Sequence, residues 1–465
     1  MQLANDVDAT AGPSLPDWFL LPATVIFAIL TLYVIMRTRG RAARFLIFAC
    51  WFRFTLGSLQ GFTYHPAFGD IKWVGLGSLL IVGTSFIALD KRRFFSRPFW
   101  PVGIVCLLMV FSALMNGALM SAIEPILRFC IFVIIAVALW QALESGGSNV
   151  LRRLLFVFVQ PLTYQLASIA LNVPKSGELD GSVSYIGGYY HEELFSLIAA
   201  NAFFVAVFAG RLNKFARFGI CVLSLISIDL ADYRTTMLGV VPLALVAGFI
   251  GIPRAVKPNQ RTFTRVVLIV AGLALVGGVV VAERDRFADL GALSQGTGLI
   301  RPPETFTWAD RRVLSSRPYI WSEYIYAYAD APRLQKWIGY GPDSWVTRMP
   351  IYAHNTVISF LYELGIFGVI AILLVWGNMI RLAFLAEPRW RSLILAGHAS
   401  FIVLNLATMA HWQVEGNILY GLLCGFTIAK ARQAVVSKAL AQRGPTIERS
   451  ASWPTEPAIP ATQLR

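Results

Sequence analysis

The sequence predicts an all-α fold, a polytopic transmembrane helical bundle, and three observations support that prediction. Of the 465 residues, 56% are hydrophobic and only 14% are charged. The apolar residues form blocks of about 17 to 25 residues, long enough to cross the hydrocarbon core of a bilayer as helices. Lys and Arg residues collect in alternate connections between the blocks. Because lipid offers the backbone no hydrogen-bond partner, helices are the form in which so many apolar blocks can span a membrane.

The apolar blocks predict 12 to 13 membrane spans. The blocks lie at residues 18–36, 45–63, 74–89, 100–119, 123–142, 154–173, 193–210, 218–234, 237–252, 266–282, 356–380, 392–410 and 416–430. Residues 1–282 therefore hold spans one to ten, and residues 356–430 hold spans eleven to thirteen. Residues 431–465 end in a proline-rich stretch, which predicts a disordered cytoplasmic tail.

The N-terminal segment is acidic. Asp6, Asp8 and Asp17 precede or open the first block, without a basic region or a small-residue cleavage site. The segment is therefore not predicted to be a signal peptide, and its charge favours an N-terminus outside the cytoplasm.

The basic residues predict the orientation of the bundle. With the N-terminus outside, the internal connections contain 20 Lys or Arg residues and three acidic ones. These connections are residues 37–44, 90–97, 144–153, 211–217, 254–265 and 381–391. This is the positive-inside pattern, so the net charge of +14 is a topology signal and argues against a nucleic-acid partner.

One connection, residues 283–355, is far longer than the others and is predicted to form a large periplasmic loop between spans ten and eleven. It contains Trp308, Trp321, Trp337 and Trp345. Its stretch 309–333 is compatible with a helix whose aromatic residues lie along a membrane or domain surface. A loop of this length in a compact protein is usually functional or disordered, and its aromatic content favours function.

The cysteines predict no chemistry. All five fall within apolar blocks, in separate predicted helices and without metal-type spacing, and are interpreted as small buried hydrophobic residues. They are Cys50, Cys106, Cys130, Cys221 and Cys424.

The histidines collect on one predicted side. His65, His191, His354 and His411 map to external helix ends or loops, and only His398 lies within a span. Histidine is suited to proton transfer near neutral pH, so this side is where acid–base chemistry is expected.

Ionisable residues crowd the outer end of the eighth predicted span. Asp229, Asp232 and Arg234 lie there, and such groups are costly near a membrane unless they meet a partner or a polar cavity. Two interpretations remain open. Arg234 either pairs with one of the aspartates to close the helix end, or binds an anionic substrate group, which is the favoured interpretation.

The outer end of the seventh predicted span begins with His191, Glu192 and Glu193. Acidic residues complement the dipole at a helix N-terminus, which would explain the two glutamates without any function. A functional role for His191 or Glu192 is the alternative.

The eleventh span begins at His354-Asn355-Thr356. Asn355 or Thr356 is a plausible N-cap that would orient His354, and a purely capping role for this segment is the alternative to a catalytic one. Glu363 lies about two and a half turns further in. It is predicted to be an intramembrane carboxylate and is therefore a functional candidate.

Three sets of residues together resemble a known family. They are His354-Asn355 with Leu361, Glu363, Gly365 and Gly368; Arg317 and Trp321 with Gly339-Tyr340-Gly341; and Tyr233-Arg234-Thr235. In this order and topology, about residues 185 to 370 resemble the O-antigen ligase and polymerase superfamily of bacterial envelope glycan assembly. Tyr233 departs from the small residue usual in that family.

The resemblance implies a metal-independent glycosyltransferase without a cofactor, in the bacterial inner (cytoplasmic) membrane, with its active site facing the periplasm. Its donor would be a polyprenyl-diphosphate-linked glycan, and its other partners a glycan acceptor and membrane lipids. Polysaccharide export or chain-length machinery is a further candidate partner. The sequence has no phosphate-cradling glycine loop, which agrees with a donor activated before it reaches the enzyme.

The resemblance also implies roles for individual residues. His354 would take the proton from the acceptor hydroxyl, and Arg234 and Arg317 would hold the donor diphosphate by charge-assisted hydrogen bonds. The additional candidates are His191, Glu192, Trp321, Asn355 and Glu363.

Three functions remain open at this point. A repeat-unit polymerase for exopolysaccharide or O-antigen is favoured, because the segments at residues 187–192 and 232–235 look most like members from exopolysaccharide clusters. An O-antigen ligase that uses lipid A-core as acceptor is the alternative. A flippase for the same lipid-linked glycan is a third, although a transporter should place ionisable groups near the midplane and show repeat symmetry.

Overall fold

A computed structural model describes residues 12–69, 71–147, 149–176, 183–282, 298–308, 310–312 and 315–442. The described chain is almost entirely helical, so the predicted all-α bundle is confirmed. Residues 283–297 of the long connection and residues 443–465 of the predicted tail lie outside the described residues.

The helices of the first half precede the long connection. They are α1 (Asp17–Met36), α2 (Arg41–Ser58), α3 (Gln60–Thr63), α4 (Trp73–Ala88), α5 (Trp100–Met115), α6 (Ile123–Gly146), α7 (Asn149–Leu154), α8 (Val159–Ala170), α9 (Glu192–Phe208), α10 (Lys214–Leu230), α11 (Arg234–Ala255) and α12 (Arg261–Ala282). Two short antiparallel hairpins pair β1 (Pro66–Phe68) with β2 (Ile71–Lys72) and β3 (Lys175–Ser176) with β4 (Val183–Ser184).

The remaining helices include three in the long connection. They are α13 (Arg317–Ala329), α14 (Arg333–Ile338) and α15 (Trp345–Arg348), followed by α16 (Thr356–Leu385), α17 (Pro388–Ala407) and α18 (Val414–Gln442). Single 3-10 turns occupy Lys91–Arg93, Arg97–Phe99, Leu119–Ala122, Leu155–Phe158, Pro258–Gln260, Pro303–Thr305, Asp310–Arg312 and Ala410–Trp412.

Every predicted apolar block contains helix, although the block at residues 154–173 is divided among α7, a 3-10 turn and α8. Within the described residues, six stretches are long and apolar enough to cross a membrane. They are Asp17–Met36, Arg97–Met115, Leu119–Ser145, Arg234–Pro253, Thr356–Leu385 and Pro388–Ala407. The total of 12 to 13 spans stays a prediction. The last helix, α18, continues to Gln442, twelve residues beyond the predicted end of the last span.

The centre of the bundle is the contact between α6 and α18. A Cβ added at Gly421 would lie 2.8 Å from the carbonyl oxygen of Phe132, and one at Gly425 would lie 2.5 Å from that of Ala136. Small residues at such positions let two helix backbones approach closely, which is how helices gain packing energy in a membrane.

Three of the basic connections meet at one end of the bundle. Arg153 donates to the carbonyl of Arg37 at 2.6 Å, and Arg93 pairs with Glu144 at 2.5 Å. Arg432 of α18 approaches the same glutamate, with 3.8 Å between the nearest atoms. Helix α5 starts beside these connections and ends against the long connection. We therefore call the opposite end, which carries residues 298–355, the loop end.

Helix α16 is broken at Gly365, whose φ of 66° lies in the left-handed region that favours glycine. Beyond the break, residues 366–385 span about 30 Å at about 1.5 Å per residue, which matches the thickness of a hydrocarbon core. The whole of Thr356–Leu385 is long and apolar enough to cross a membrane, and Glu363 lies two residues before the break. Its place within the membrane stays a prediction.

The long connection fills this break with residues 338–341. The backbone N–H groups of Tyr340 and Gly341 donate to the carbonyls of Tyr362 and Glu363 at 3.0 and 2.9 Å. These are the carbonyls that the break in α16 leaves without helical partners, so the connection completes the hydrogen bonding of the helix.

Close contacts hold the same segment from both sides. A Cβ at Gly339 would collide with the backbone of Glu363. On the α5 side, Ser112 Oγ donates to the carbonyl of Ile338 at 2.6 Å, and Asn116 Nδ2 to that of Gly339 at 3.1 Å. The long connection is thus anchored between α5 and α16.

Candidate functional site

Asn355 caps the N-terminus of α16. Its side-chain oxygen accepts from the backbone N–H of Val357 at 2.9 Å and of Ile358 at 3.2 Å, while its backbone is extended. Its amide nitrogen donates to the carbonyl of Leu406 at 3.0 Å, which ties this end of α16 to the end of α17. The prediction that Asn355 or Thr356 is the N-cap is confirmed for Asn355.

His354 is held in an unusual conformation immediately before this cap. Its φ is 50°, a left-handed value that is uncommon outside glycine. Its ring lies 4.0 Å from that of Tyr352 between centroids, and Trp321 Nε1 donates to the preceding carbonyl, that of Ala353, at 2.9 Å. His354 Nδ1 is buried and has no hydrogen-bond partner among the described residues. Strain of this kind is common where an imidazole is positioned for a reaction.

Arg317 reaches the site from the start of α13. Its guanidinium Nη2 donates to Thr235 Oγ1 of α11 at 2.7 Å, and that threonine is 5% exposed. Within the described chain Arg317 forms no ion pair with a carboxylate, so its charge is held in place by a neutral hydroxyl. An arginine held in this way can still bind an anion.

The charge of Arg317 acts on His354. Burial is the largest cause and lowers the pKa of His354 to about 3, and the positive charge of Arg317 acts in the same direction, followed by that of His191. The imidazole is therefore neutral at physiological pH and can accept a proton. Of the predicted site residues, the structure places Arg317 and His191 close enough to His354 for their charges to act on it.

Arg234 is placed differently from the prediction. It is the first residue of α11, not the end of the preceding span, because the chain reverses at Asp232 (φ 49°), a residue that tolerates this conformation. The Arg234 side chain is 54% exposed and pairs with Asp232 at 3.6 Å. It is not among the charges that act on His354. In this structure Arg234 therefore takes the helix-end pairing that the sequence left open.

His191 and Glu192 form a second charged group on the same end. His191 caps α9, with Nδ1 accepting from the backbone N–H of Glu193 at 3.1 Å. Burial lowers the pKa of His191, although Glu192 opposes that shift. Glu192 pairs with Lys175 at 2.8 Å and lies 3.5 Å from His191 Nε2. Because the Glu192 carboxylate already pairs with Lys175, it is not free to bind a substrate in this structure.

Glu193 is a residue that the sequence analysis treated only as a helix-dipole complement. It is 1% exposed, and its Oε1 accepts from Thr408 Oγ1 at 2.6 Å. Thr408 Oγ1 in turn accepts from the hydroxyl of Tyr233 at 3.1 Å. This chain links α9, α11 and the end of α17 beneath Arg317, so Glu193 belongs to the floor of the site. Adjacent residues of a helix lie on different faces, and this spacing is the sequence signal that distinguishes Glu193 from Glu192.

The two remaining candidates, Glu363 and Trp321, form hydrogen bonds within the protein that hold neighbouring segments in place. Glu363 is 1% exposed and accepts from Ser359 Oγ at 2.5 Å and from the backbone N–H of Asp343 at 2.7 Å. Trp321 Nε1 donates to the carbonyl of Ala353, and the side chain is half-buried. Of the aromatic residues predicted to lie along a membrane or domain surface, Tyr324 is 1% exposed, and Tyr319 and Tyr328 are half-buried.

Two other histidines are part of the bundle core. His398 and His411 are 1% and 2% exposed, and each is hydrogen-bonded to a neighbouring side chain. Among the described residues, no three His, Cys, Asp or Glu side chains are grouped so that they could hold a metal ion.

One part of the chain is similar to a known family. Residues 219–373, about a third of the chain, match the family model described as O-antigen ligase. The matched range runs from α10 to the middle of α16 and contains Arg234, Arg317 and His354, but not His191 or Glu192. No curated protein matches the chain.

The matched family and the apolar helices point to an integral membrane protein.

Proposed function

We propose that the protein transfers a polyprenyl-diphosphate-linked oligosaccharide to a glycan acceptor at the periplasmic face of the bacterial inner membrane. The observation that carries the proposal is the pair formed by His354 and Arg317. A neutral, strained imidazole with an unpartnered nitrogen lies in the field of an arginine that has no carboxylate partner among the described residues. Transfer from a diphosphate donor requires a base for the acceptor proton and, beside it, a positive charge that no carboxylate neutralises.

The reaction proceeds as a displacement at the anomeric carbon of the donor glycan. The acceptor hydroxyl oxygen forms the new bond to this carbon while its proton passes to a ring nitrogen of His354. The bond from the carbon to the diphosphate oxygen breaks, and its electron pair leaves with polyprenyl diphosphate. Arg317 stabilises the negative charge that develops on this leaving group, so no metal ion is invoked.

Donor binding also activates the base. A pKa of about 3 makes His354 neutral but a weak base in the free protein. A bound diphosphate offsets the charge of Arg317, which contributes to that low value, and its own negative charge favours a protonated imidazole. His354 therefore becomes a stronger base only when a donor is present.

The orientation of the loop end toward the periplasm rests on the 20 basic and three acidic residues of the internal connections. Glu304 is exposed in the long connection and suits a test. A cysteine introduced there, in a chain without its native cysteines, should react with a membrane-impermeant thiol reagent in intact spheroplasts. Reaction only after membrane disruption would reject this orientation.

Within this chemistry we favour a repeat-unit polymerase for exopolysaccharide or O-antigen. The support is the likeness of residues 187–192 and 232–235 to exopolysaccharide-cluster members. Deletion of a polymerase should leave single repeats on the lipid carrier or on lipid A-core, because ligation stays intact. The measurement is the length profile of the lipid-linked and lipid A-linked glycans. Loss of all repeats from lipid A-core, with long chains on the carrier, would support the ligase alternative instead.

A further inference from the structure

Three aromatic side chains extend from His354 along the loop end. The ring of Tyr352 lies 4.0 Å from that of His354, and the ring of Trp345 lies 5.8 Å from that of Tyr352, between centroids. Trp412, at the entrance of α18, packs in the same partly buried cluster. We call Tyr352, Trp345 and Trp412 the aromatic strip.

Two charged side chains lie at the far end of the strip. The guanidinium carbon of Arg128, from α6, lies 5.5 Å from the ring centroid of Trp412. Asp343 accepts a hydrogen bond from Trp345, and its own backbone N–H is fixed by Glu363 at 2.7 Å. Arg128 pairs with Glu124 at 2.5 Å, which leaves its other guanidinium N–H groups to bind a hydroxyl, and its charge also acts on Asp343.

The charges around Asp343 leave its carboxyl group mostly ionised at neutral pH. Burial raises the pKa of Asp343 to about 6, Arg128 opposes that shift and Glu124 adds to it. Glu363, which holds the Asp343 backbone, is the other acid beside it. At pH 7 the Asp343 carboxyl is therefore mostly ionised and can accept hydrogen bonds.

Two more polar groups next to the strip have no partner. Ser344 Oγ and Trp412 Nε1 are buried and form no hydrogen bond with the described residues. A buried polar group left without a partner is costly, so a partner from outside the chain is expected. His354 Nδ1, at the other end of the strip, is a third such atom.

We propose that the aromatic strip, with Asp343 and Arg128, is a subsite that binds a pyranose ring of the glycan acceptor. A pyranose presents an apolar C–H face, which packs on aromatic rings, and a rim of hydroxyls, which hydrogen-bond to carboxylate, guanidinium and indole N–H groups. The inference rests on the proposed function. It assigns the acceptor to this subsite because the strip contacts His354 through Tyr352 and the charge of Arg317 acts on the same imidazole, so an acceptor hydroxyl and a donor diphosphate would both lie near His354.

The first test separates acceptor binding from turnover. With donor saturating, Trp345→Ala and Asp343→Asn should each raise the acceptor KM about tenfold, the equivalent of about 1.4 kcal/mol, with kcat within about twofold of wild type. Trp345→Phe keeps a ring and should fall between wild type and Trp345→Ala. An unchanged KM, or a fall in kcat alone, would overturn the subsite.

A matched control comes from the same connection. Trp337 is 51% exposed and its ring packs on Phe367, 5.3 Å away, outside the strip. Trp337→Ala should leave the acceptor KM within about twofold of wild type. A rise equal to that of Trp345→Ala would mean that any tryptophan loss in the connection disturbs the protein, and would reject the assignment.

The second test does not depend on catalysis. The probe is the lipid-free repeat oligosaccharide, released by mild acid from the lipid-linked glycan of the same organism. Titrated into the purified full-length protein, it should quench tryptophan fluorescence, with about tenfold weaker binding to Trp345→Ala. Binding unaffected by Trp345→Ala would reject the subsite even if transfer activity is established. Conversely, strip-dependent binding in a protein that transfers no lipid-linked glycan would reject the proposed function and leave the subsite standing.

Discussion

His354 and His411 are both buried histidines near the loop end, and the difference between them indicates which one is suited to chemistry. Burial lowers the pKa of each, to about 3 for His354 and about 4 for His411. His411 is satisfied: its Nδ1 bonds to Asn417 at 3.1 Å and its Nε2 accepts from Trp376 at 3.3 Å. His354 has a free Nδ1 and an arginine charge beside it. A low pKa therefore does not separate the two histidines. The unmet hydrogen bond and the adjacent cation separate His354 from His411 and make it the proposed base.

The largest expected effect is the loss of turnover in His354→Ala. General-base catalysis is typically worth about 10² to 10⁴ in rate, so the single-turnover rate with donor saturating should fall by that order. Donor binding and protein abundance should change little, because Asn355 caps α16 without His354. A single-turnover rate within about twofold of wild type would remove His354 from the mechanism.

His411→Ala is the matched control for this substitution. It removes a buried ring and leaves Asn417 Oδ1 and Trp376 Nε1 without their imidazole partners, so the protein should lose about 1 to 3 kcal/mol of stability for the polar groups alone. The rate of each correctly folded molecule should stay near wild type. If His411→Ala instead slowed turnover as much as His354→Ala at unchanged stability, the contrast between the two histidines would fail.

Substitutions of the arginines should have a smaller effect, and they sharpen the comparison between a satisfied and an available group. Arg317→Lys keeps the charge but loses the forked guanidinium, and turnover should fall about 10- to 100-fold, the range of a lost charge-assisted hydrogen bond. Arg234→Lys should cost less, because Arg234 is half-exposed and paired with Asp232. Equal losses measured in kcat/KM for both would show that Arg234 turns toward the donor on binding.

The smallest expected effect is a displacement of the pH profile. The charged groups that face His354 are Arg317 of α13 and His191 at the start of α9. In the free protein they act with burial to hold the pKa of His354 at about 3, so kcat/KM should show no acid limb from this residue above about pH 5. In the donor complex the diphosphate raises this pKa, so kcat should fall on acidification at a higher pH than kcat/KM does. The reverse order would contradict the activation of His354 by the donor.

Features set by neighbouring residues could be predicted from the sequence. The Asn355 cap, the apolar helices and the order of Arg317 and His354 each depend on local pattern or spacing, and the structure agrees with them. Family resemblance supplied the pairing of His354 with Arg317, which no local pattern contains.

Features set by distant contacts could not be predicted. Asp232 reverses the chain one turn earlier than the hydropathy indicated, so Arg234 starts a helix and pairs locally. Glu193 joins the site through Thr408, 215 residues away in sequence. Arg128 meets Trp412 only because α6 and α18 pack together. Such contacts depend on which helix faces come together, and hydropathy does not contain that information.

The seating of residues 338–341 in the break of α16 has a consequence for the biogenesis of the protein. Ser112 and Ile338, which hold this junction together, are 226 residues apart. Residues 338–341 contact α5, in the first quarter of the chain, and the break of α16, which is made later. During synthesis the long connection is therefore made before α16, and its contacts with that helix form only afterwards. The junction is complete only when most of the chain has been synthesised.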